Sequence, residues 1–145
     1  MFKIQYQVIS PRFDMVETPT EDELRYYFLL GDARFVGDNC IIDMAWGWIP
    51  LLDFSICLAQ IALKVSAEES ISESFEFTES AETITFLRNG SDVTIEASFS
   101  LTTMVVRLDV FDKEVNNFQN NIRQYIIEKV GNRHISLILK RYLEK

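Results

Sequence analysis

The stretch WGWIPLLDFSICLAQIALKV, residues 46–65, decides the fold because it is the longest densely apolar segment of the chain. It contains Pro50, which suits the first position of a helix, where its missing N–H is not needed. Before the proline the pattern alternates, so Trp46 and Trp48 are predicted on one face of a strand, pointing to the core. A ligand-stacking platform is the alternative interpretation of this pair.

The helix predicted after Pro50 has one polar stripe. At 100° per residue, Asp53, Gln60 and Lys64 lie within about 40° of one another, with Cys57 beside them. The helix should therefore show water only this narrow stripe and be covered on its other sides. Asp53 also falls in the first turn, where the helix dipole favours an anion.

The same stretch is long enough to cross a membrane, but its composition argues against a span. Pro50, Asp53 and Gln60 interrupt it, and a central Asp costs about 2.5–3.5 kcal/mol on insertion scales. The flanks lack a cluster of Lys and Arg that would orient a span. We therefore expect a buried helix and no membrane partner.

Upstream of the stretch, the segment from Thr20 is ambiguous between helix and strand. Thr20 and Glu23 match a capping box for a short helix. The aromatic residues that follow prefer a strand, so a strand is favoured over residues 24–36, with a bulge or kink at Gly31-Asp32. A hairpin turn is predicted at residues 37–39.

Downstream, residues 66–72 form a polar connection, and three short antiparallel strands follow with one face open to water. Asn89-Gly90 is a strong hairpin signal between the second and third of these strands. The inward set is Phe75, Phe77, Ile84, Phe86, Val93, Ile95, Ala97 and Phe99.

The last third of the chain changes from strand to helix. A further strand is predicted within residues 101–110, and apolar steps of three and four residues from Asp112 predict a helix that ends at Gly131. A short final helix is expected within residues 134–144. The sum is a single α+β domain, residues 1–145, with an antiparallel sheet of about six strands, a central buried helix and one or two C-terminal helices.

The charge of the chain is strongly acidic and unevenly placed. The formal net charge is −8, which disfavours nucleic acid as a ligand and favours a basic protein. Residues 1–106 hold six Lys or Arg against seventeen Asp or Glu, whereas residues 107–145 hold eight against five.

An acidic run lies around the first of the short strands, where residues 65–87 contain no Lys or Arg. Glu76 is predicted on the wet face of the sheet and the other members in flanking loops. The run is the candidate partner-binding surface, and a solvated surface that protects a sheet edge is the alternative. Its members are Glu68, Glu69, Glu73, Glu76, Glu79 and Glu82.

No catalytic, cofactor or metal motif is found in the sequence. His134 is the single histidine, Cys40 and Cys57 are seventeen residues apart, and no glycine-rich loop is present. We therefore predict no cofactor and no metal. The start of the chain, MFKIQYQVIS, alternates polar and apolar residues, so no secretory signal is predicted. Two cysteines without a signal fit free thiols in the cytoplasm.

The sequence resembles immunity proteins of bacterial polymorphic or contact-dependent toxin systems. The resemblance is carried by Trp46, Trp48 and Pro50–Phe54, and then by Phe75–Ser80. It implies a cytosolic protein that binds and blocks one cognate toxin, often through an acidic surface. Two alternatives stay open: a small enzyme with carboxylates in a pocket beside the Asp53 stripe, and a structural or self-associating subunit.

Overall fold

The computed structural model describes residues 1–131 and 135–145, apart from the side chain of Val16. Its strands are β1 (Lys3–Pro11), β2 (Leu29–Val36), β3 (Ile41–Pro50), β4 (Ser70–Glu76), β5 (Thr83–Asn89), β6 (Asp92–Ala97) and β7 (Thr103–Arg107). Its helices are α1 (Glu21–Tyr26), α2 (Leu51–Ala67), α3 (Leu108–Val130) and α4 (Leu137–Leu143), with a short 3-10 turn at Phe13–Val16.

The strands form two antiparallel sheets, with the orders β1-β2-β3 and β4-β5-β6-β7. The predicted α+β class is confirmed, whereas the single sheet of about six strands is wrong. The two sheets share one core, in which the ring centroids of Phe35 on β2 and Phe86 on β5 are 6.4 Å apart. Phe54 of α2 stacks on Phe35 at 6.2 Å, so α2 shares the same core. Two sheets arise because α2 separates β3 from β4 and each sheet buries its own apolar face.

The helix α2 is covered on most sides, as predicted from its sequence. Leu51, Phe54, Leu58 and Val65 are completely buried, and the helix contacts α1, α3 and strands of both sheets. The proline is placed one residue earlier than predicted. Pro50 ends β3, and α2 begins at Leu51.

The segment from Thr20 begins as a helix, so the strand predicted over residues 24–36 is wrong in its first part. The Glu23 amide donates to Thr20 Oγ1, and the Thr20 amide donates to Glu23 Oε1, both at 3.1 Å. This capping box, together with burial of Leu24, outweighs the strand preference of the aromatic residues that follow. The strand β2 starts only at Leu29.

The bulge predicted near Gly31-Asp32 is present, and its extra residues belong to β3. Gly31 pairs with Ile49 while Ala33 pairs with Met44, so residues 45–48 of β3 loop out between these pairs. Gly47 there has φ +77°, and its amide donates to Asp32 Oδ1 at 2.7 Å.

The bulge changes the environment of the two tryptophans. Because it breaks the alternation, the core continues from Met44 to Ile49, and both tryptophan side chains are only half-buried. Trp46 and Trp48 still point the same way, since their rings stack at 5.1 Å. They pack at the edge of the core and not inside it.

The meander of β4 to β7 follows the predicted alternation, with Ile84, Phe86, Val93 and Ile95 completely buried. The turn after Asn89 is confirmed, and Gly90 has φ +65°. The predicted polar connection 66–72 is too long, because α2 extends to Ala67 and β4 begins at Ser70.

The C-terminal helices are confirmed with different bounds. The strand predicted within residues 101–110 is limited to β7, and α3 begins at Leu108. A final helix, α4, lies within the predicted tail, whereas His134 lies outside the described residues. None of the helices in the described ranges is long and apolar enough to cross a membrane.

Candidate functional site

The six predicted partner-binding residues all lie along the first hairpin of the four-stranded sheet. Glu68 and Glu69 connect α2 to β4, whereas Glu79 and Glu82 lie between β4 and β5. The seven residues of β4 span about 20 Å. The structure therefore places these two pairs at opposite ends of one strand and not in one compact patch.

The remaining two residues lie on opposite faces of β4. Glu76 is exposed on the solvent face, as predicted. Glu73 was expected in a loop, but β4 begins at Ser70, so Glu73 falls on the same face as Phe75 and is half-buried. It lines a cleft beside α2.

The region from Glu68 to Val106, which we term the acidic meander, has little positive charge of its own. It contains eight carboxylates and a single basic residue, Arg88. The Arg88 guanidinium is occupied by backbone carbonyls: it donates to Val65, Ser66, Glu68 and Gly90 at 2.8–3.0 Å. Within residues 1–131 and 135–145, none of the eight carboxylates forms an ion pair.

A second group of polar side chains surrounds Asp53 where α1, α2 and α4 meet. The Tyr142 hydroxyl donates to Asp53 Oδ1 at 3.3 Å, and Arg25 Nε is 3.6 Å from the same oxygen. The Cys57 thiol donates to Asp53 Oδ2 at 3.7 Å. The side chain of Asp53 is only 11% exposed, so the predicted water-facing stripe is wrong at this position.

Burial sets the protonation of this Asp53 cluster. Burial raises the pKa of Asp53 above its ordinary value, against the attraction of Arg25. Burial and the nearby Asp53 raise the pKa of the Cys57 thiol to about 12, and the same two causes raise the pKa of Tyr142. Thiol and phenol are therefore protonated at neutral pH and serve as hydrogen-bond donors. The cluster ties three helices together and does not present a thiolate nucleophile.

The cleft beside this cluster is where the alternative function, a small enzyme with carboxylates in a pocket, would have its active site. It has a volume of about 240 Å³, and Asp53 and Glu73 both line it, with Lys64 and Gln60. Both oxygens of Asp53 are already taken by Arg25, Tyr142 and Cys57. In the described part of the chain, no three His, Cys, Asp or Glu side chains are grouped to hold a metal ion.

A further cleft, which the sequence did not predict, opens at the turn between β4 and β5. We term it the aromatic cleft; its volume is about 670 Å³, and it is lined by Tyr26, Tyr27, Leu30, Trp48, Glu79 and Ser80. These residues come from α1 and its C-terminus, two strands and a turn. The strand predicted over residues 24–36 includes Tyr26 and Tyr27, so this cleft could not be predicted from it.

No protein-family model, curated protein or solved structure matches this chain. The resemblance carried by Trp46–Phe54 and Phe75–Ser80 remains a prediction.

Proposed function

We propose that the protein is a cytosolic binding module that docks one basic protein through the acidic meander, in the manner of an immunity-type inhibitor of a toxin. The observation that supports this proposal is the absence of ion pairs at all eight carboxylates of the acidic meander in the described structure. Unneutralised like charges repel one another and oppose folding, whereas a basic partner would turn the same charges into attraction.

The solvent face of the four-stranded sheet offers a surface of suitable composition. Leu87 and Val105 are exposed there, on either side of Thr94. Exposed Glu76 and Glu96 lie on the same face, towards one end of the sheet. An apolar centre with a polar, charged rim is the usual anatomy of a protein interface.

The electrostatics favour a basic protein over nucleic acid. A phosphate backbone would be repelled by the eight carboxylates of the acidic meander, and the single guanidinium there already serves backbone carbonyls. A partner rich in Lys and Arg would instead be steered towards this surface, with an association rate that falls as salt is added.

Copurification from the native host with two matched variants tests the proposal. In the first variant, Glu69, Glu76 and Glu96 of the acidic meander are changed to Lys. In the control, the exposed residues Glu17, Glu128 and Glu144 are changed to Lys, which alters the net charge equally.

We expect wild type and control to retain one basic protein in a 1:1 ratio, released at about 0.5 M salt, where screening is strong. The first variant should not retain it. Equal loss of the partner from both variants would contradict the proposal. So would a stable homodimer that retains no other protein, which would support the self-associating alternative.

A further inference from the structure

The aromatic cleft has a rigid wall formed by Trp48, with Trp46 packed against it. Trp48 lines the cleft, and its indole stacks on Trp46 with an interplanar angle of 19°. Trp46 is held in turn by edge contacts to Phe77 at 5.2 Å and Phe99 at 4.7 Å. Packing against rings of the core fixes the orientation of the stack, so the Trp48 ring is in place before any ligand arrives.

The other wall of the cleft is formed by the tyrosines at the end of α1. Tyr27 is 50% exposed, although it is a large aromatic residue, and its ring lies 6.2 Å from that of Tyr26. The ring of Tyr26 already has a guanidinium above it, since Arg25 Cζ is 5.0 Å from the ring centroid. Arg25 of the protein itself therefore already contacts the ring of Tyr26, which lines this cleft.

Glu79 adds a negative charge to the aromatic surfaces. Its side chain is exposed, lines the same cleft, and forms no ion pair with any residue of the described ranges. Aromatic faces attract cations, and a carboxylate beside them adds direct attraction. A guanidinium suits this combination better than an ammonium, because it is planar, stacks on rings and pairs with a carboxylate through two N–H groups.

We infer that the aromatic cleft receives an arginine side chain of the basic protein partner, with the guanidinium stacked on Tyr27 beside Trp48 and paired with Glu79. This inference rests on the proposed function and names the anchor of the same interface. The cleft lies at the β4–β5 end of the acidic meander, so the arginine would enter beside the surface that attracts the rest of the partner. Aromatic residues and arginine are the side chains most often dominant in interface energetics.

Intrinsic fluorescence can report on this site directly, because the chain has two tryptophans: Trp48 lines the cleft, and Trp46 stacks on it. The probe is a capped pentapeptide with arginine at its centre and glycine elsewhere. A matched peptide carries citrulline, which keeps the shape of arginine without the charge. The variants Tyr27→Ala and Glu79→Gln each remove one element of the cleft, and Glu96→Gln removes a meander carboxylate elsewhere.

We expect the arginine peptide to change the tryptophan emission with a saturable dependence on concentration. Tyr27→Ala and Glu79→Gln should each weaken binding about threefold to tenfold, as for loss of a partly desolvated cation–π or ion-pair contact. Glu96→Gln should bind as the wild type does, and the citrulline peptide should cause no saturable change. Equal response to both peptides, or unchanged binding in Tyr27→Ala, would overturn the inference.

Retention of the native partner separates this inference from the proposed function. If the partner binds Tyr27→Ala and Glu79→Gln as tightly as the wild type but is lost after charge reversal of the meander, the arginine anchor is refuted and the proposed function stands. If no basic protein is retained while the peptide titration behaves as expected, the proposed function fails and the selectivity of the cleft for a guanidinium is upheld.

Discussion

Carboxylates inside and outside the acidic meander differ in whether they form ion pairs within the described structure. Of the fourteen carboxylates outside the meander, six are paired with a cation at 2.9–3.6 Å: Asp14 with Arg12, Glu21 with Lys145, Asp38 with the N-terminal amine, Asp43 with Arg34, Asp53 with Arg25, and Asp109 with Arg107. Within the meander, no such pair is found in the part of the chain that the structure describes.

The comparison distinguishes carboxylates that form ion pairs within the fold from exposed carboxylates that could contact another protein. Asp53 is buried and joins α1, α2 and α4, so its environment is complete without a ligand. Glu76 and Glu96 are exposed on a sheet face that no other element of the described structure covers. Negative charge that serves no internal contact is the property expected of a docking surface for a basic protein.

Both regions depend on α2, so the largest effect is expected from a charge placed in its buried face. Leu58→Asp should abolish folding, because Leu58 is completely buried and the new carboxylate would have no partner. Leu63→Asp on the same helix is the control, since Leu63 is 74% exposed, and it should change stability by less than about 0.5 kcal/mol. Circular dichroism and thermal unfolding give the comparison; a cooperatively melting Leu58→Asp protein would refute the buried helix.

Removing a carboxylate should be costly in the Asp53 cluster and harmless in the meander. Asp53→Ala leaves the buried hydroxyl of Tyr142 without its acceptor, and we expect the free energy of unfolding to fall by about 1–3 kcal/mol. Glu76→Ala should cause no loss. Denaturant unfolding measures both values, and equal destabilisation by the two changes would contradict the distinction between the regions.

The pH dependence of stability tests which force dominates at Asp53. Burial raises its pKa above the ordinary 3.8, so its contribution to stability is largest when it is protonated, below that value, and is lost as the pH rises through the folded pKa. The free energy of unfolding of the wild type, minus that of Asp53→Asn, should therefore fall as the pH rises above 3.8. A difference that rises with pH would mean that attraction by Arg25 outweighs burial.

The smallest effect is expected from neutralising three carboxylates inside the acidic meander or three outside it. Changing Glu69, Glu76 and Glu96 to Gln should slightly raise the melting temperature at low salt, because repulsion among like charges is relieved. Changing Asp14, Asp38 and Asp43 to Asn should lower it slightly, because each loses a cationic partner. Both shifts should shrink in high salt. Shifts of the same sign in low salt would argue against the difference between the two regions.

The fold could be predicted where local patterns alone determine it. The alternation of Ile84, Phe86, Val93 and Ile95 marks the meander, and the apolar density of residues 51–65 marks α2. The number of sheets could not be predicted in this way, since it depends on whether β3 forms hydrogen bonds with β4 or the two strands belong to separate sheets. Residues 20–26 show a local conflict, in which two capping hydrogen bonds outweigh aromatic strand preference.

The candidate site was predictable only in part, for a similar reason. The acidic run is visible in the sequence, but its division between two ends of β4 follows from where that strand begins. The Asp53 cluster needs Tyr142, which is 89 residues away in sequence. The aromatic cleft needs Tyr27, Trp48 and Glu79 to meet, and no spacing in the sequence indicates this.

The most direct test of the docking surface is the rate at which the purified partner associates with the protein, measured as salt increases from about 0.05 M to about 0.5 M. For the wild type and for the Glu17, Glu128 and Glu144 reversal, we predict that the rate falls tenfold or more, since steering by the meander is screened. For the Glu69, Glu76 and Glu96 reversal, the rate should be low and nearly independent of salt. Equal salt dependence in both reversals would contradict the account.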